Sequence, residues 1–261
     1  MLLQGKTAIV HGGSGAVGSA VAKAFAREGA RVVLAARRRE PLETVAAAIT
    51  ASGGEAHVSV VDATDAAAIE THIRDTAARL GPIKIVFAAI DWGDSQGAPL
   101  TDMPAERFIR PVQTALTSWH HVGGSAARHM RENGGGVILG FTANAGREAY
   151  NNVGGFGVAC AAVEHFLRQL AVENGRYGVR CCWVRSPGSP DSPGVREVWQ
   201  MHADSRGLSF EEVHREFAKD TPLRRIASLS QVADAAVLLA SDLASSMTAT
   251  MANTTGGAQV D

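Results

Sequence analysis

The chain has 261 residues, 46% of them hydrophobic and 20% charged, with a formal net charge of −1. That length and apolar content suit one large α/β domain with a well-buried core, and the scattered charge gives no electrostatic footprint for nucleic acid or an anionic membrane. No apolar run reaches the roughly 20 residues that span a bilayer, three cysteines make no disulfide framework, and the opening MLLQGKTAIVHGG leaves no room for a signal peptide. A cytoplasmic protein acting on a small molecule is expected.

Strand-like apolar runs occupy residues 7–11, 31–36, 56–61, 83–90, 137–141, 179–184 and 248–253, and helical patterns fill the intervals between them. Gly29, Gly53-Gly54, Gly81-Pro82, residues 134–136 and Gly178 fall where a helix hands over to a strand. This alternation predicts an α/β fold, a Rossmann-like doubly wound parallel sheet of about seven strands in a single domain. Residues 154–175 form one helical pattern, with Val158, Ala162, Phe166 and Leu170 spaced as a buried stripe that packs on the sheet or on a partner subunit. The Pro- and Ser-rich stretch 186–193 breaks the alternation, and helical patterns follow around residues 196–202 and 210–219. Residues 186–220 are therefore expected to form a lid or substrate loop.

After the first strand comes Gly12-Gly13-Ser14-Gly15-Ala16-Val17-Gly18, and then the helix-like SAVAKAFAREGA. Glycines let such a loop turn sharply and approach a pyrophosphate, which rests on the free N–H groups and positive dipole end of the helix. Gly12, Ser14, Gly15, Val17 and Gly18 are the candidate cradle; a tight turn without ligand is the other reading of the same loop. Past the second strand, Ala36 stands where an acid would bind a ribose 2′-OH, and Arg37-Arg38-Arg39 follows. Arginine there accommodates a 2′-phosphate, so Arg37 favours NADP(H) over NAD(H). A solvated helix start reads those arginines equally well, and a chain that keeps no cofactor stays open.

With the Gly loop in place, the chain resembles the short-chain dehydrogenase/reductase family over nearly its whole length. Asp62 in VVDATD matches the acid that contacts adenine in that family, and Ser186-Pro187-Gly188 matches the Pro-Gly turn beside the nicotinamide. The family's Asn-Asn-Ala-Gly segment appears as Ala88-Ala89-Ile90-Asp91. The closing TPLRRIASLSQVADAAVLLASDLASSMTATMANTTGGAQVD resembles the segment that often supports tetramer contacts, which implies a homodimer or homotetramer. The resemblance also implies a catalytic Asn, Ser, Tyr and Lys, and at those positions stand Ala115, Ala143, Phe156 and Cys160. In the family the Tyr is a general acid/base whose pKa the Lys lowers, the Ser orients the carbonyl and the Asn holds a water of the proton relay. Phe has no proton to give, and Cys carries no positive charge to stabilise a phenolate.

Tyr150, Asn144 and Thr142 are the candidates for the missing work, with Asp91 beside them. Tyr150, in a loop that lines the substrate pocket of family members, is a replacement acid or a pocket-wall aromatic. Asn144 orients a carbonyl or caps its loop. Thr142 points to the opposite face of its strand from Ala143, which makes packing its default role. Asp91 is a base if burial raises its pKa, or a loop cap. Cys160 reads as an inert buried thiol, and His120, His121 and His129 lack the spacing of a zinc set, so no metal is expected. Three functions remain: an NADP(H)-dependent carbonyl/alcohol oxidoreductase using Tyr150; a non-redox elimination, isomerisation or cyclisation; and an inactive protein binding a ligand or partner subunit.

Overall fold

The computed structural model describes residues 1–260, apart from the side chains of residues 202 and 205. Strands β1 (Thr7–His11), β2 (Arg31–Ala36), β3 (Glu55–Val60), β4 (Ile83–Ala88), β5 (Gly136–Ala143), β6 (Val179–Ser186) and β7 (Thr250–Asn253) form one sheet. Its order is β3-β2-β1-β4-β5-β6-β7, and every pairing is parallel. Between them run α1 (Ala16–Arg27), α2 (Arg39–Ala51), α3 (Ala66–Leu80), α4 (Ala105–Glu132), α5 (Phe156–Asn174), α6 (Pro193–Arg206), α7 (Phe210–Lys219) and α8 (Leu229–Ala240). The chain winds outward from β1 to β3 and then restarts at β4 on the other side of β1. That reversal opens a crevice at the carboxyl ends of β1 and β4, where doubly wound sheets take their ligands.

Both faces of the sheet are covered, which is why its strands read as apolar runs rather than alternating ones. On one face α3, α4 and α5 pack through Ile69, Trp119 and Val163. On the other α1, α2 and α8 pack through Phe25, Leu42 and Val237. Local chemistry sets several boundaries. The Asp65 side chain accepts from the Ala68 N–H to start α3, and Ser209 with Glu212, and Ser228 with Gln231, form capping boxes on α7 and α8. Lys84 closes the far end of α4 by donating to the Asn133 and Gly134 carbonyls at 2.6 and 3.2 Å.

The strand expectations hold in number and order and shift at their ends. β4 stops at Ala88, short of residue 90, and β7 begins at Thr250 after Ala249 takes a φ of 53°. β5 and β6 run past their expected ends because the pairs Thr142↔Arg185 and Ala143↔Ser186 extend the ladder. The stripe expected on α5 holds at Leu170, which is buried, and is corrected at its start. Val158 is 47% exposed, and the face turned to the sheet carries Ala159, Cys160, Val163, Leu167 and Ala171 instead. Both sets follow the same 3.6-residue period. Phe166 turns sideways onto α4, where its ring lies 6.4 Å from that of Trp119 and where only the bare Gly123 leaves it room.

Within residues 186–220, α6 and α7 close over a small core of their own made by Trp199 and Phe210, with Ile226 added from just beyond. The Trp199 ring lies 5.9 Å from His214 and 5.0 Å from Phe217. Among the described residues no helix is long and apolar enough to cross a membrane.

Candidate active site

The crevice begins at the end of β1. Gly12 adopts a φ of +76°, and a Cβ there would fall 2.1 Å from the Ala89 carbonyl oxygen; one on Gly18 would fall 2.1 Å from that of Gly12. Both positions therefore demand glycine, and they fold the loop tightly under the start of α1. Gly15, the N-cap, is exposed and supplies no side-chain cap, and the first turn of α1 holds no acid. The first N–H groups of α1, with the helix dipole behind them, are left for an anion from outside the chain. Ser14 and Val17 flank this opening, both partly exposed. A dinucleotide pyrophosphate fits such a cradle.

Arg37 is exposed just beyond β2. Asp62, just beyond β3, accepts at Oδ1 from the Thr64 N–H at 2.9 Å and the Thr64 hydroxyl at 2.8 Å. Those bonds hold its carboxyl below the usual range, and the charge of Arg37 adds to the effect. Arg37 and Asp62 thus share the rim of the crevice on the β2–β3 side. Beneath the loop, His11 and His72 are buried with their ring centroids 5.5 Å apart. Burial pushes both toward the neutral form, His72 down to about 4. The Ser59 hydroxyl meets His72 Nδ1 at 2.9 Å.

On the other side of the crevice the structure gathers the four positions aligned above with Asn, Ser, Tyr and Lys. Ala115 is fully buried in α4, Ala143 ends β5, and Phe156 and Cys160 occupy the first turns of α5. The Phe156 ring packs against Trp92, centroid to centroid 6.0 Å. Trp92 is buried beyond β4, and its indole N–H has no partner among the described residues. Burial pushes the Cys160 thiol up to about 12, against a hydrogen bond from the Ala143 backbone. No thiolate forms there near neutral pH, so the position that a lysine would charge stays neutral. Pro187 and Gly188 follow β6, and the Gly188 N–H donates to the Ser186 hydroxyl at 3.3 Å.

Tyr150 and Asn144 come together, and Thr142 does not join them. The Tyr150 hydroxyl, on a residue 48% exposed, donates to the Glu148 carboxylate at 2.8 Å. Burial and that carboxylate raise its pKa, while a hydrogen bond from Asn144 lowers it. Thr142 is buried and donates to Glu164 Oε1 at 2.8 Å, a packing role on the far face of β5. Asp91 is exposed and caps its own loop by accepting from the Gly93 N–H at 2.9 Å. His129 accepts from the Ile83 N–H. Among the described residues no group of three or more His, Cys, Asp or Glu is placed to hold a metal.

Local reading missed the polar floor of this region. Glu164 and Arg185, each 3% exposed at the side chain, pair at 2.5 Å, and Arg185 reaches on to Gln259 at 3.4 Å. An acid on the sheet-facing stripe of α5 and an arginine inside an apolar strand were the available signals, because buried charges are almost always paired. A groove of about 570 Å³ between α5, β6 and β7 touches this pair. It opens at the β7 edge rather than at the crevice beyond β1 and β4, and Glu164 within it is already occupied by Thr142 and Arg185.

Known proteins share the sequence pattern and the fold of this chain. A family model described as enoyl-(acyl carrier protein) reductase matches residues 13–259. The 7α-hydroxysteroid dehydrogenase of Escherichia coli (strain K12) is 27% identical over 255 residues, which cover 98% of this chain and 94% of that protein. A 7α-hydroxysteroid dehydrogenase solved with NADH and 7-oxo glycochenodeoxycholic acid superposes with a TM-score of 0.84 at 26% identity, covering 98% of this chain and 94% of its own. A single-residue variant of the actinorhodin polyketide ketoreductase, solved with NADPH, superposes at 0.87 with 25% identity and 97% coverage of both chains.

Proposed function

Because the chain belongs to the short-chain dehydrogenase/reductase family, we propose that it binds NADP(H) and reduces the carbonyl of a small molecule through non-standard residues, as a homodimer or homotetramer. The observation that carries this reading is the glycine-lined, uncapped start of α1 with Arg37 and Asp62 at its rim. In it, Gly12, Ser14, Gly15, Val17 and Gly18 hold the pyrophosphate, Arg37 meets the 2′-phosphate and Asp62 meets the adenine. Ala88, Pro187 and Gly188 flank the nicotinamide end. The bound nicotinamide supplies hydride chemistry.

What the chain must add is a proton and an orienting group, and Ala143, Phe156 and Cys160 offer neither. Tyr150 supplies the proton, and Asn144 faces its oxygen. Tyr150 keeps its proton at neutral pH, since burial and Glu148 both favour the phenol. Protonated at neutral pH, it can donate to the carbonyl oxygen in reduction, as a weaker acid than an unshifted phenol, and it is not available as the base in alcohol oxidation. Its O–H turns from Glu148 to the substrate oxygen, and the Asn144 amide stabilises the phenolate that remains. The lid α6–α7 excludes water over this step.

A second reading, a protein that binds its ligand without turnover or with non-redox chemistry, draws on the Trp92–Phe156 contact, which fills the position aligned with the family's acid. Tyr150→Phe separates the two. Under the first reading kcat for NADPH-dependent carbonyl reduction falls by about 10²-fold or more, with fold and NADPH affinity kept. Activity within about threefold of the parent would make Tyr150 a wall residue and leave the second reading standing.

A further inference from the structure

We infer that Gln259, near the end of the chain and far in sequence from the site, is a positioning residue that sets the turn carrying Glu148 and Tyr150. Gln259 is 2% exposed, and both polar atoms of its side chain are used. Its Nε2 donates to the Asn144 carbonyl at 2.9 Å, and its Oε1 accepts from Arg185 Nη1 at 3.4 Å. The Asn144 carbonyl is a hub: the Arg147 and Glu148 N–H groups also donate to it, at 2.9 and 3.0 Å. One oxygen therefore holds the short turn after β5 from both ends. Glu148, fixed by this oxygen, accepts the Tyr150 proton two residues on.

The support behind Gln259 is rigid. Arg185 is locked to Glu164 by Nε–Oε1 at 3.0 Å and Nη2–Oε2 at 2.5 Å, and Thr142 donates to the same carboxylate. The main chain of Gln259 is pinned as well, its N–H donating to the Thr255 hydroxyl at 3.2 Å and its carbonyl accepting from Asn253 Nδ2 at 2.9 Å. A buried, fully bonded network of this kind holds one geometry because each member left unpartnered is costly. The turn after β5 has no side-chain cap of its own. It borrows its fixation from the C-terminal segment, across 115 residues of sequence.

The inference rests on the proposed acid only in its activity arm, so the test has a second readout. The chain has two tyrosines, and in a Tyr177→Phe background the ultraviolet phenolate titration reports Tyr150 alone. Gln259→Glu keeps the acceptor for Arg185 and removes the donor to Asn144; Gln259→Leu removes both. With the turn released, Tyr150 loses the burial and the Glu148 contact that raise its pKa along with the weaker opposing bond from Asn144, so its titration falls back toward lower pH in both variants. Under the proposed function kcat also falls on the order of 10–100-fold, with KM and NADPH affinity kept. A parent without carbonyl reduction would sink the proposed function and leave the titration to decide the role of Gln259. An unmoved Tyr150 titration in folded Gln259→Glu, or loss of the whole fold in both variants, overturns the inference.

Discussion

Acid should loosen this protein through the histidines under the glycine loop that follows β1. His72 is buried and held at about 4 against an ordinary 6.5, first by burial and then by the charge of Arg79, with Asp75 opposing. His11 shifts in the same direction, by burial and then by His72. The folded state thus binds fewer protons than the unfolded chain, which takes them up near 6.5. Stability is full above that value and falls as pH drops through the interval from 6.5 to about 4. For His72 alone the linkage between pH 7 and pH 5 comes to about 2 kcal/mol. The variant His72→Gln keeps a polar partner for the Ser59 hydroxyl and removes the titration. Urea unfolding of both proteins at pH 7 and pH 5 should show the parent losing about 2 kcal/mol more than the variant. Parallel losses would refute the reasoning, because they would mean that His72 is protonated in the folded state or already solvated there.

Two substitutions test other parts of the site. Phe156→Tyr alone should not give ordinary dehydrogenase turnover, since the new phenol meets Trp92 and a neutral Cys160 rather than an ammonium; oxidation of simple alcohols above the parent's rate would show that another cation already serves that position. Gly18→Ala gains about 1 kcal/mol of helix propensity, yet its Cβ would lie 2.1 Å from the Gly12 carbonyl oxygen. The clash wins: thermal unfolding should report a net loss of about 2–4 kcal/mol, and a more stable variant would mean that the loop does not press on α1.

The division between what the sequence revealed and what it hid follows contact range. β1 to β7 were legible because strand and helix periods and the glycine handovers are local signals, and the Gly loop could be placed because its chemistry lies within the single run from Gly12 to Gly18. The stripe on α5 was right at Leu170 and misplaced at Val158, Ala162 and Phe166, because these share their spacing with the set that faces the sheet, and only packing against Trp119 and the strands chooses between them. Tyr150 and Asn144 were singled out from the departures at Ala143, Phe156 and Cys160, and the two side chains do meet. Trp92 against Phe156, Glu164 with Arg185, and Gln259 on Asn144 are long-range pairings between residues whose local context is ordinary. His11 and His72 belong to the same class: nothing near either in the chain announces the other.

Under the proposed function the start of α1 holds a dinucleotide and Arg37 chooses its phosphate. Calorimetric titration of the purified chain with NADPH and with NADH tests it most directly. Tighter binding of NADPH by about 1–3 kcal/mol, as a charge-assisted contact provides, with the difference abolished in Arg37→Ala, is the result expected. Equal affinities would contradict the role of Arg37, and binding of neither would contradict the claim as a whole.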